Sequence, residues 1–93
     1  MQTFVGDTVN LLLETGIDLS TMTTLRILYR KPNGTESFWI AAICPADSER
    51  ILYKTSITDL DLNGIWEFQS YAANATEVLH GDFASLPVLE PIG

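Results

Sequence analysis

Turn-forming residues punctuate this chain so often that no regular element can run long. Gly16, Pro32-Asn33-Gly34, Pro45 and the stretch from Asp59 to Gly64 cut it into short runs. Within the runs, apolar residues recur at every second position. Val9, Leu11 and Leu13 share one side, as do Leu25, Ile27 and Tyr29, then Ile51, Tyr53 and Thr55, then Trp66, Phe68 and Ser70. A period of two is that of an extended strand, whose successive side chains point to opposite faces. No window sustains the i, i+3, i+4, i+7 stripe that a helix needs, and Val9 to Glu14 is too short to stand alone as one.

Seven β runs follow from this pattern: 9–13, 24–30, 37–43, 50–56, 65–71, 76–80 and 86–92. Lys31-Pro32-Asn33-Gly34-Thr35 predicts a hairpin between the second and third, because Pro presets φ and Asn-Gly tolerates positive φ. Cys44 to Glu49 breaks the pattern at Pro45, which cannot donate to a central ladder. Seven alternating strands at this spacing predict an all-β, immunoglobulin-like sandwich of about seven antiparallel strands. With 93 residues, the chain forms one domain over residues 1–93. The expected inner faces carry Val9, Leu11, Leu13, Leu25, Ile27, Tyr29, Trp39, Ile43, Ile51, Tyr53, Trp66 and Phe68.

Composition narrows the function. Five Lys and Arg stand against twelve Asp and Glu, a net charge of −7 that repels nucleic acid and anionic membranes. No apolar stretch, that around Trp39 to Cys44 included, approaches the ~20 residues that cross a bilayer. No basic region followed by an apolar one opens the chain, which predicts no secretory signal and folding in a reducing cytoplasm. The single cysteine, Cys44, has no internal disulfide partner.

The chemistry-bearing motifs are incomplete. Asp59-Leu-Asp61-Leu-Asn63-Gly64 matches the first half of a calcium loop, but Ser70 stands at the twelfth position, where a bidentate Glu belongs. An acidic turn with side chains bonded to its own backbone is the expected reading, adventitious calcium the lesser one. His80-Gly81-Asp82 offers a His–Asp pair, yet no second histidine completes a zinc site. Cys44 lacks a neighbouring cation to lower its pKa and reads as a small buried hydrophobe. Asn33-Gly-Thr35 and Asn74-Ala-Thr76 read as turns rather than glycosylation sites. We therefore expect no catalytic residues, no cofactor and no metal.

One feature departs from a plain sandwich. Phe38 and Ile40 fall on the face opposite Trp39, and Leu28 and Leu52 also fall outward. As neighbours they would form an apolar patch for a protein partner; alternatively, a terminal strand such as 86–92 folds over them.

Several segments in order carry a resemblance to a known family. They are Phe4-Val5-Gly6-Asp7-Thr8, Ile17-Asp18-Leu19-Ser20, Tyr29-Arg30-Lys31-Pro32-Asn33-Gly34, Ile51-Leu52-Tyr53, and Asp59-Leu60 through Gly64-Ile65-Trp66-Glu67-Phe68-Gln69. Together, from about Phe4 to Leu89, the chain resembles the small Ig-like modules of tailed-phage structural proteins, similar to the amino-terminal module of baseplate upper proteins. In such a module Asp18-Leu19-Ser20 turns the chain between sheets and Trp66 is an aromatic anchor, with Phe68 where true Ig domains place a cysteine. The resemblance implies a non-enzymatic virion component, assembled in the host cytoplasm, that docks on other virion proteins at the tail, neck or capsid. It leaves room for a homo-oligomer. A competing reading is a carbohydrate-binding or adhesin-like module that stacks sugars on Trp39 or Tyr71.

Overall fold

The computed structural model describes residues 2–92 and is all β, with no helix among them. Eight strands form among these residues: β1 (Thr3–Phe4), β2 (Asn10–Glu14), β3 (Thr24–Arg30), β4 (Glu36–Ile40), β5 (Ala42–Cys44), β6 (Asp47–Lys54), β7 (Gly64–Ala73) and β8 (Val78–Leu89). They build a five-stranded sheet of order β1-β8-β7-β3-β4 and a three-stranded sheet of order β2-β6-β5. This is an immunoglobulin-like sandwich, with the five-stranded sheet opposed to the three-stranded one. The strand pairings are antiparallel except that of β1 with β8, which is parallel.

The count is eight rather than seven for three local reasons. The run 37–43 divides at Ala41: β4 completes the large sheet, and β5 belongs to the small one. The runs 76–80 and 86–92 are one twelve-residue strand, β8. β1 is only two residues long, too short to show a period, and Asp7 closes a turn after it, with the Asp7 amide donating to the Phe4 carbonyl at 3.0 Å. Pro45 lies in the turn between β5 and β6, so it breaks no ladder, and β6 begins at Asp47 rather than Arg50.

The hairpin between β3 and β4 is as the turn chemistry dictates. Gly34 takes φ +90°, its amide donates to the Lys31 carbonyl, and Lys31 donates to the Thr35 carbonyl at 2.8 Å. Gly64 is constrained differently. Its φ is +127°, and a Cβ there would lie 2.7 Å from Pro32 Cβ, so only glycine lets the loop before β7 close onto this hairpin. Asp18 caps the turn into β3 by accepting the Ser20 amide at 3.0 Å, while Leu19 is fully buried beneath it.

All twelve residues expected on the inner faces lie in or against one core cluster. Its centre is aromatic. Trp39 stacks on Tyr53 at 5.0 Å across the sheets and packs against Tyr29 at 4.4 Å, with Trp66 and Phe68 within 6.2 Å of it. Trp66 is wholly buried, and its indole N–H donates to the Leu62 carbonyl at 2.9 Å, so the ring enters the core with its polar atom paired. Cys44 is half-buried at the end of β5. Replacement of Trp66 by Ala removes the largest fully buried side chain and orphans that carbonyl. We expect a loss of about 3–5 kcal/mol, read by urea denaturation, against a near-neutral effect for an exposed change such as Ser37→Ala.

Candidate functional site

The outer face of the large sheet is a grid fixed by register. Strand alternation puts Trp39, Ile27 and Phe68 inward, so their neighbours point out. The central row, read across β4, β3, β7 and β8, is Phe38, Leu28, Gln69 and Phe83. On one side lies the row Glu36, Arg30, Glu67 and Ser85; on the other, Ile40, Arg26, Tyr71 and His80. Phe38 is 43% exposed, Phe83 66% and Ile40 77%, whereas Leu28 is half-buried between its neighbours. A depression of about 340 Å³ runs along the central row, bounded by Phe38 and Phe83.

Three of the four residues expected to form a patch therefore do share a surface. Leu28 and Phe38 are direct cross-strand partners, with Ile40 one row away. Leu52 does not join them. It sits on β6 between Leu12 and Ala42, on the outer side of the other sheet, because the chain changes sheets at Ala41. Nor does the terminal segment cover the patch: β8 pairs with β7 at its side and adds Phe83 to the surface.

A bulge hides Phe83 from periodicity. Ser70 on β7 lies opposite both Gly81 and Asp82, between the pairs Gln69–Phe83 and Tyr71–His80. The extra residue reverses the facing of everything after it, so Phe83 emerges on the side of His80 rather than that of Leu79. Gly81 permits this, since a Cβ there would strike the Ser70 hydroxyl; its carbonyl accepts a hydrogen bond from the Gln69 side-chain Nε2 at 2.9 Å.

Charge frames the apolar row. Arg30 bridges Glu36 and Glu67, each at 3.0 Å, and these hydrogen bonds raise its already high pKa. Arg26 lies 4.2 Å from the Phe38 ring centroid and 5.5 Å from that of Tyr71, which His80 meets edge-on at 5.2 Å. Exposed pairs of this kind orient side chains more than they stabilise the fold.

The remaining motifs are absorbed by structure. Asp59 accepts the Tyr53 hydroxyl at 2.6 Å and the Ser56 amide at 2.7 Å, while Asp61 pairs with Lys31 at 3.0 Å. These carboxylates clamp a loop rather than open toward a cation. Among the described residues, no group of three or more His, Cys, Asp or Glu is placed to hold a metal. His80 is exposed, faces Tyr71 and lies on a different sheet from Cys44. Asn33 and Asn74 both accept amides two residues on, as turn residues do. Trp39 is 9% exposed within the aromatic cluster and offers no face to a sugar; Tyr71 is half-buried beside Arg26.

A second opening, of about 510 Å³, lies between β2 and the middle of β8, lined by Leu12 to Gly16 and His80 to Ala84. Among the described residues β2 has one neighbouring strand, β6. Thr15 donates to the Glu49 carbonyl and Val9 accepts from Thr55, so the ladder engages the odd-numbered residues. The backbone groups of Asn10, Leu12 and Glu14 then point to the open side.

No protein-family model, no curated protein and no solved structure matches the chain.

The Tyr53–Asp59 contact sets a pH dependence. Burial first, then the bond to Asp59, pushes the Tyr53 phenol up to about 12. Burial alone would raise Asp59, but bonds from Ser56 and Tyr53 outweigh it and hold the carboxyl below its ordinary value. A raised phenol stabilises the fold fully below about pH 10 and loses that contribution as pH rises toward 12. A lowered carboxylate contributes above about pH 4 and loses its share on acidification. Thermal melts should therefore fall on both arms. Tyr53→Phe should flatten the alkaline arm and cost about 1–2 kcal/mol at pH 7.

Proposed function

We propose that this chain is a non-enzymatic structural module of a phage or prophage virion, docking on tail, neck or capsid proteins through the outer face of its five-stranded sheet. The observation that carries the docking reading is the exposed row Phe38–Leu28–Gln69–Phe83, an apolar strip framed by charged rows on a small acidic domain. Exposed Phe38 and Phe83 at the two ends of this row, with charged side chains on either side, combine the apolar surface and polar rim of a protein interface. The virion setting is supported by the ordered motifs that resemble tailed-phage Ig-like modules, and the sandwich is the fold which that resemblance implies.

Docking by this face needs little rearrangement. Its residues stand on four paired strands, so few side chains are ordered on contact and most of the gain from burying Phe38 and Phe83 is kept. The open edge of β2 supplies a second mode, addition of an extended partner segment to the small sheet. The net charge of −7 favours solubility before assembly in the host cytoplasm. The carbohydrate-binding or adhesin-like alternative loses Trp39, which belongs to the core.

Particles purified by density gradient from the encoding host, probed with an antibody to the chain, test the proposal. Wild-type chain should co-sediment with particles, and Phe38→Glu should reduce its occupancy roughly tenfold or more, as loss of an aromatic anchor does. Trp fluorescence should confirm that the variant is folded. Particles without the chain would contradict the virion reading; undiminished occupancy of Phe38→Glu would contradict the face.

A further inference from the structure

Resting on the docking reading of this face, we infer that the virion protein it docks on is a second copy of the same chain, packed face to face about a twofold axis parallel to the strands between β3 and β7. The observation is a chemical symmetry across that line. Rotation about such an axis places β3 over β7 of the second copy and β4 over its β8, row for row. Arg30 then meets the second copy's Glu67, and Glu67 its Arg30. Phe38 meets the second copy's Phe83, and Arg26 meets the ring of its Tyr71.

Each of these is a favourable pairing: two ion pairs, two aromatic contacts and two cation–π contacts from one surface. Arg26 already lies against its own chain's Tyr71, and Arg30 already bridges Glu36 and Glu67, so the groups are turned toward the face. The other twofold arrangement, with the axis across the strands, places Arg30 over the second copy's Arg26 and is opposed by like charge. An isologous interface must be self-complementary in this way, and the strand-parallel axis alone satisfies the condition here.

The size of the face fixes the strength. Four strands at ~4.8 Å spacing and seven residues at ~3.4 Å give a flat footprint of roughly 19 by 24 Å. Even with side-chain relief this falls below the ~800 Å² per partner of a standard stable interface, so the dimer is weak and concentration-dependent. Many copies held in a ring or lattice would raise its occupancy.

Sedimentation velocity of the intact chain, up to about 1 mM, tests this, with near-ultraviolet circular dichroism to confirm folding of each variant. Wild type should pass from its 10.3 kDa monomer to twice that mass as concentration rises. Arg30→Glu and Glu67→Arg should each weaken self-association roughly tenfold, and their equimolar mixture should restore it. The first variant is acidic at both positions 30 and 67 and the second basic at both, so each face repels its own copy and complements the other. A wild type that stays monomeric throughout, or a mixture that stays monomeric, overturns the inference. If the wild type is monomeric while Phe38→Glu still strips the chain from particles, the second copy is excluded and the docking function stands. If the dimer forms but the chain is missing from particles, the virion reading falls and the dimer stands.

Discussion

The stack of Trp39 against Tyr53, closed from the sides by Tyr29, Trp66 and Phe68, is the contact on which the rest of the molecule depends. It joins residues of β4, β6, β3 and β7, and so ties together two sheets that no internal disulfide can link, Cys44 being the sole cysteine. Tyr53 continues the tie outward: its hydroxyl holds Asp59, whose neighbour Leu60 is fully buried and accepts the Gly6 amide through its carbonyl. The loop over residues 59–63 is thereby pinned above the core. From there, Leu62 satisfies the Trp66 indole and Asp61 reaches Lys31 at the base of the hairpin.

That inner arrangement dictates the outer one. Because alternation along β4 puts Trp39 inside, Phe38 and Ile40 must stand outside, and the register with β3 sets Leu28 beside Phe38. Phe38 and Phe83 are left outside the core on the larger sheet, between a row closed by the Arg30 bridges and a row carrying Arg26 and Tyr71. Placement of the exposed rings in one register row, at either side of Leu28 and Gln69, is what distinguishes this face from ordinary surface.

Much of the fold is legible in the sequence because period and turn chemistry agree. β3 matches its expected run at both ends, the Pro-Asn-Gly hairpin sets its register, and Trp66 and Phe68 point inward as alternation requires. The misses have physical causes. Ala41 carries no turn signature, so nothing in the sequence marks the crossing between sheets, and periodicity groups Leu52 with residues that lie on the far side of the sandwich. The bulge at Gly81 and Asp82 breaks the period of two and conceals Phe83; a glycine inside an alternating run is its only local sign. Leu19 and Leu60, both fully buried, belong to loops, where periodicity has no purchase.

Acrylamide quenching of tryptophan fluorescence is the most direct test of this inner-and-outer division of aromatics. Trp39 and Trp66 in the native chain should be nearly inaccessible to quencher and become accessible together in one cooperative unfolding step. Phe38→Trp in a Trp39→Phe background should instead add a tryptophan that is quenched readily. Strong quenching of the native tryptophans in buffer, with position 38 protected, would mean that the sheets face the other way and would contradict both the core and the proposed face.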